Sequence, residues 1–140
     1  MGTVTGEGDT GTETDAGVGE TRYTVLVVDD DRMVAALVTE FLEHVDDGLE
    51  VSYVTTPAAA LDRLDASVDC VVTDYKMPGM DGVALVERAA ADVGFVLYTA
   101  TEAAEVAAAA RERGGAYMQK RTDADQYADL AALVREQAAR

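Results

Sequence analysis

Tryptophan is absent from this chain of 140 residues, phenylalanine and proline occur twice each, and cysteine and histidine once each. Any core must therefore be assembled from Val, Leu, Ala and a few Tyr. A single cysteine excludes an internal disulfide, and Cys70 sits in an apolar run, as a small buried hydrophobe does. Long apolar runs are missing too. None approaches the roughly 20 residues of a membrane span, and no basic segment followed by an apolar stretch marks a secretory signal. The cytoplasm is the expected compartment, with no membrane partner.

Lysine is the most telling shortage. Only Lys76 and Lys120 are present, and 11 basic residues face 27 acidic ones for a net charge of −16. Residues 1–22 hold five of those acids, so the remaining chain still carries 22 acidic against ten basic residues. The acidity belongs to the folded part as well as to the start of the chain. Binding to nucleic acid or anionic lipid needs clustered Lys or Arg, so neither is an expected partner. Near-absence of Lys with many surface acids fits adaptation to high internal salt, where screening removes most self-repulsion.

Residues 1–22 are Gly, Thr, Asp and Glu with little that is apolar, and are expected to form a disordered acidic tail. Residues 23–140 are the size of one domain. Within them, strand and helix patterns alternate. Tyr23–Val28 is an apolar strand ending in three aspartates. Val34, Leu37, Val38, Phe41 and Leu42 repeat at the spacing of one helix face. A strand over Glu50–Thr55 precedes Thr56-Pro57, a helix cap with proline at the first helical position, and a helix over 57–66. A third set follows: strand Asp69–Thr73, a Met77–Gly82 loop and a helix over 83–91. Phe95–Tyr98 is a fourth strand, and 101–113 an Ala-rich helix stopped by Gly114-Gly115. A last strand, Ala116–Gln119, leads to a helix striped by Tyr127, Leu130, Ala131 and Val134. Five strand–helix pairs in strict alternation imply an α/β domain with a parallel sheet covered on both faces.

Open parallel sheets bind ligands outside the carboxyl ends of their strands. The notable polar residues fall there: Asp29 and Asp30 after the first strand, Asp74 after the third, Thr99 at the fourth, Lys120 at the fifth. Three converging carboxylates repel unless a cation offsets them. An all-oxygen donor set without His or Cys suits a hard ion, and Mg²⁺ takes one or two carboxylates with water and phosphate oxygens. A carboxylate can attack phosphorus to give an aspartyl phosphate. Lys120 can offset charge on the transferring oxygens, and Thr99 can donate a hydroxyl.

Val27-Val28-Asp29-Asp30, Asp74-x-x-Met77-Pro78-Gly79-Met80-Asp81-Gly82, Tyr98-Thr99-Ala100 and Tyr117-x-x-Lys120 together resemble the receiver domains of two-component response regulators, over about residues 23–139. The resemblance implies a flavodoxin-like (βα)5 sandwich with a five-stranded parallel sheet in order 2-1-3-4-5. It implies Asp74 as phosphoacceptor and Mg²⁺ as cofactor. Asp30 would bind the metal directly, Asp29 largely through water, and the Lys76 backbone carbonyl would join Asp74 as a further ligand. Thr99 and Lys120 would hold the phosphoryl group, Tyr117 would follow Thr99 in a switch, and Lys76 and Thr101 would tune the lifetime of the phosphorylated state. The donor would be a histidine kinase or histidine phosphotransfer protein. Output would pass from the 101–139 face to a protein target, the chain being a stand-alone monomer or weak homodimer and not a turnover enzyme.

Plainer roles stand beside these. Asp29 can be a helix cap, Thr99 an ordinary strand-end hydroxyl, Tyr117 simple core, and Met33, Met77 and Met80 packing or loop residues, with Met33 also a candidate kinase contact. His44, alone on a polar turn, reads as a surface residue. Asp81-Gly82 reads as shaping its loop and capping the next helix. Two features depart from the family. Arg121 stands where proline usually follows the lysine, and a cis bond there would cost about 2.5–4 kcal/mol, so trans is expected. The stretch between Asp74 and Thr99 is short, which requires a trimmed third helix. A docking or dimerisation module that no longer switches is the alternative function. A phosphatase working through an aspartyl phosphate would want a carboxylate at position 76, where lysine stands. If the acidity is an adaptation to salt, the melting temperature rises between low and molar salt in thermal denaturation; a flat or falling curve contradicts it.

Overall fold

The computed structural model describes residues 22–89 and 92–140. The acidic tail expected over 1–22 lies outside the described residues apart from Arg22, whose exposed guanidinium stands 3.9 Å from Glu50. Ten elements alternate: β1 (Tyr23–Val28), α1 (Arg32–Val45), β2 (Leu49–Val54), α2 (Pro57–Arg63), β3 (Cys70–Thr73), α3 (Gly82–Arg88), β4 (Gly94–Thr99), α4 (Ala104–Glu112), β5 (Ala116–Gln119) and α5 (Gln126–Ala138). All five strands are parallel and lie in the order β2-β1-β3-β4-β5. This is the flavodoxin-like architecture expected from the sequence.

Strand periodicity sorts the core into two layers, because successive side chains point to opposite faces. Val25, Val27, Cys70, Val72, Val96 and Tyr98 face α1 and α5, where Leu42, Leu130 and Val134 meet them. Leu26, Val28, Val71, Phe95 and Leu97 face α2, α3 and α4, meeting Ala60, Leu85 and Ala110. The continuous apolar strands are thus apolar for two different reasons at alternate positions. Burial pushes the Cys70 thiol up, which keeps it protonated and inert, as a core hydrophobe should be. Among the described residues no helix is long and apolar enough to cross a membrane.

Three helices are shorter than the patterns indicate, two of them at ends where other hydrogen bonds hold the chain out of the helix. The helix expected to reach 66 stops at Arg63, because Asp65 turns back to accept the Ser67 N–H at 2.8 Å. Such side-chain turns draw the backbone away from helix. The helix expected over 101–113 begins at Ala104: Thr101 gives its N–H to Thr99 Oγ1 (3.2 Å) and its carbonyl takes the Tyr117 hydroxyl (2.6 Å), holding this loop out of the helix. At the far end Gly114, at φ +80, allows the Gly114 and Gly115 N–H groups to return to the carbonyls of Arg111 and Ala110. That is the glycine-terminated helix ending. The third helix is two turns long, Gly82–Arg88, and ends short of 91; residues 90–91 lie outside the described residues. The shortened Asp74–Thr99 stretch is accommodated here.

Asp46, which ends α1, is clamped by the Arg135 guanidinium of α5 through Nε to Oδ2 and Nη2 to Oδ1 (2.6 Å for the second), and also accepts the Gly48 N–H at 2.9 Å. The Arg135 hydrogen bond holds its carboxyl below the ordinary 3.8, against partial burial that pushes it up. A carboxyl depressed on folding adds stability that is complete above the ordinary value and is lost as pH falls through the folded one. Asp46→Asn is therefore expected to cost about 1 kcal/mol at neutral pH, the gap from the native chain closing below the ordinary carboxylate value. Urea denaturation across that range checks it.

Candidate acidic site at the strand ends

The strand order places the first and third strands side by side, and their register places their ends together. Val28 pairs with Thr73, so the next residues, Asp29 and Asp74, leave the sheet as neighbours. The Asp74 N–H closes onto the Val28 carbonyl at 3.0 Å, and the Asp29 N–H onto Val54 at 3.3 Å. The chain departs β1 toward β2 on one side and the sheet continues to β3 on the other, so the acids sit at the topological switch point.

One carboxylate oxygen from each of Asp29, Asp30 and Asp74 lies within 4.8 Å of the others. Asp29 is buried, Asp74 half-buried and Asp30 exposed. Asp29 does not cap α1. Asp31 does that, accepting the Met33 and Val34 N–H groups, while Asp29 Oδ1 accepts the Asp31 N–H at 2.9 Å. Asp74 Oδ1 accepts the Tyr75 N–H at 2.7 Å.

Lys120 completes the cluster. Its Nζ stands 2.8 Å from Asp29 Oδ2 and 3.4 Å from Asp74 Oδ2, bridging the two carboxylates. Burial pulls the ammonium's pKa down, but the hydrogen bond and charge of Asp29, helped by Asp74, outweigh it and leave it raised. The lysine is charged throughout the neutral range. Its backbone N–H is held by the Thr99 carbonyl at 2.9 Å, which ties β5 to the end of β4.

The other sequence-nominated residues occupy a second tier. Thr99 is buried at the end of β4 and spends its Oγ1 as acceptor for Thr101. Tyr117 packs with the α2–α4 layer and is joined to the site through Thr101 and Thr99, its hydroxyl on the Thr101 carbonyl. Lys76 is exposed on the loop after Asp74, and Thr101 is half-buried. His44 is exposed in the last turn of α1. Asp81 caps α3 through the Ala84 N–H at 2.8 Å, as its place in the loop suggested. Gln126 escaped sequence reasoning altogether. It is buried at the start of α5 and bonds to both Tyr98 and the Lys120–Arg121 connection. A glutamine in a polar helix start carries no signal of burial, which appears only once the chain is folded.

The donor set suits a hard divalent ion. It is all oxygen, has an exposed member in Asp30, and spans a gap that one six-coordinate ion with water ligands can bridge. The two buried-side carboxylates already share a cation in Lys120, so a second positive charge further offsets their repulsion.

A doubly wound parallel domain with acids and a lysine at its switch point is a recognised molecular class. The model of the response regulator receiver domain matches residues 25–132, and the chain belongs to that family. ARR21 of Arabidopsis thaliana, whose name places it among two-component response regulators, is 33% identical over 76 residues, covering 52% of this chain and 12% of that protein. A protein-glutamate methylesterase/protein-glutamine glutaminase of Anaeromyxobacter dehalogenans is 37% identical over 65 residues, covering 46% of this chain and 18% of its own length. The chain thus spans less than a fifth of either relative. Among solved structures, a CheY-like receiver domain protein from Methanospirillum hungatei superposes with a TM-score of 0.70 at 23% identity, over 85% of this chain and 98% of that one. A chain of the CheX–CheY–BeF3–Mg complex from Borrelia burgdorferi gives 0.68 at 17% identity, over 78% and 86%. At such identities the likeness is one of fold.

Gly82 sets how closely α3 approaches the site. A Cβ there would stand 2.4 Å from the Asp74 carbonyl oxygen and 2.9 Å from the Leu97 side chain. Gly82→Ala is expected to destabilise the domain by about 1–3 kcal/mol and to shift the amide resonances of Asp74 and Tyr75. Chemical denaturation together with ¹H–¹⁵N spectra would show both.

Proposed function

We propose that this receiver domain takes a phosphoryl group onto Asp74 from a phosphohistidine and signals by changing its surface. The observation carrying the proposal is the convergence of Asp29, Asp30 and Asp74 within 4.8 Å with the Lys120 ammonium between two of them. Asp74 supplies the attacking carboxylate oxygen. As its O–P bond forms, the P–N bond of the donor breaks and the electron pair returns to the imidazole. Asp29 holds Lys120 in place, and Lys120 is positioned to meet the charge on the incoming oxygens. Asp30, the exposed acid, would bind the metal directly, and Asp29, with both oxygens engaged by Asp31 and Lys120, would reach it through water. Asp74 and the Lys76 carbonyl would complete the protein's share. A bound Mg²⁺ would neutralise phosphoryl charge.

Hydrogen bonds already present support such a switch. When the Thr99 hydroxyl turns to the phosphoryl group, Thr101 loses the acceptor of its N–H, and Tyr117, tied to the Thr101 carbonyl, loses the anchor of its hydroxyl. The 101–139 face is then repacked, a shift between two populations biased by new charge, and a protein target reads it. Lys76 and Thr101, beside the water's approach, tune how long the acyl phosphate lasts. The phosphodonor, a histidine kinase or phosphotransfer protein, approaches over the start of α1, where Met33 is 73% exposed and heads a stripe with Leu37, Phe41 and Val45. In this proposal the domain acts in the cytoplasm as a monomer or weak homodimer.

With acetyl phosphate and Mg²⁺, intact mass spectrometry is expected to show gain of one phosphoryl group, absent in Asp74→Asn and abolished by chelator. Lys120→Met should slow the reaction by roughly a hundredfold without preventing magnesium binding. An unmodified Asp74 in the native chain would favour the docking or dimerisation module instead.

A further inference from the structure

We propose that Gln126 is the positioning residue for Lys120. The proposal rests on Asp74 being the phosphoacceptor and adds a residue to that machinery. Lysine has a flexible four-carbon stem and does not aim its own charge; something must fix the peptide it grows from and the surface its stem crosses. Arg121, which follows it, is bonded to Asp123 (2.8 and 2.9 Å) and Asp129 (2.9 Å), but these groups are exposed. Exposed pairs of this kind hold a backbone weakly.

Gln126 is only 4% exposed, and its carboxamide is fully used. Oε1 accepts the Arg121 N–H at 3.1 Å and the Tyr98 hydroxyl. Nε2 donates to the carbonyls of Arg121 (2.6 Å) and Asp123 (2.9 Å). Two acceptor sites and two donors are all that an amide side chain offers, and the flipped amide would set its nitrogen against the Arg121 N–H. In a buried network each lost bond leaves an unpaired polar group. A proline at 121 would fix its own φ and need no partner for an N–H; an arginine needs both a partner and an anchor, and Gln126 is both.

The same side chain also fixes what lies under the ammonium. Lys120 Nζ stands 5.7 Å from the centroid of the Tyr98 ring, and it is the Tyr98 hydroxyl that Gln126 holds. One buried amide therefore clamps the peptide after Lys120 and the ring beneath its charged end, while Tyr98 adjoins Thr99 in β4. Loss of the clamp lets the ammonium leave the carboxylates.

Two readouts test this. Gln126→Leu is expected to slow phosphorylation of Asp74 by acetyl phosphate roughly tenfold to a hundredfold, the scale of a misplaced reacting group, with the loss in the saturating rate. It should also tighten Mg²⁺ binding several-fold by calorimetry, because the competing ammonium is no longer held on Asp29. In a Lys120→Met background it should change neither. Tyr98→Phe should move both readouts in the same direction by less. A Gln126→Leu protein with a lowered melting temperature but native magnesium affinity and rate overturns the proposal, as does an equal effect in both backgrounds. If Gln126→Leu does not fold, Tyr98→Phe and Gln126→Glu decide by the same two measurements. If the native chain takes no phosphoryl group, the assignment of Asp74 fails, while the magnesium titrations still judge Gln126.

Discussion

Like charges brought together at the edge of a sheet are the constraint around which this domain is arranged. Asp29 is buried, and Asp74 partly so, at the junction of two parallel strands. Buried carboxylates are tolerated only with partners. The partners are two backbone N–H groups, from Asp31 and Tyr75, and the Lys120 ammonium reaching over from the fifth strand. Lys120 can reach them only because β3 and β4 set the distance between the first strand and the fifth. The whole order of the sheet is implied in that one bridge.

Much of this was legible in the sequence because it depends on local pattern. The alternation of five strands with five helices, the caps at Thr56 and Asp81, and the stop at Gly114-Gly115 are written in adjacent residues. The placing of Asp29, Asp30, Asp74 and Lys120 at strand ends pointed to their meeting, and the family resemblance supplied the strand order. What could not be read depended on contacts between segments far apart. The late start of α4 follows from Tyr117 bonding to Thr101 sixteen residues earlier. Gln126 looks like any helix-surface glutamine until Tyr98, 28 residues before it, is folded against it. The early end of α2 is the exception: Asp65 and Ser67 are two residues apart, and their turn outcompetes the apolar spacing that continues the helix to 66.

The acidity and the site make opposite demands. A net charge of −16 repels any anionic ligand and raises the cost of every further carboxylate placed nearby. Locally the balance is restored by the rarest charged residue in the chain. With only two lysines, one of them is spent at the centre of the acidic cluster, and most remaining surface pairing falls to arginine, as in Arg113–Glu87 and Arg121–Asp123.

Tyr98 and Tyr117 lie on opposite sides of the sheet, the first among the side chains facing α1 and α5, the second among those facing α2, α3 and α4. The Tyr117 hydroxyl bonds directly to the Thr101 carbonyl just beyond β4, and the Tyr98 hydroxyl reaches the Arg121 N–H just beyond β5 through the Gln126 side chain. A disturbance at the crevice consequently has two exits, one into each layer of helices. Each layer of helices is thereby tied to the strand ends through a tyrosine of its own.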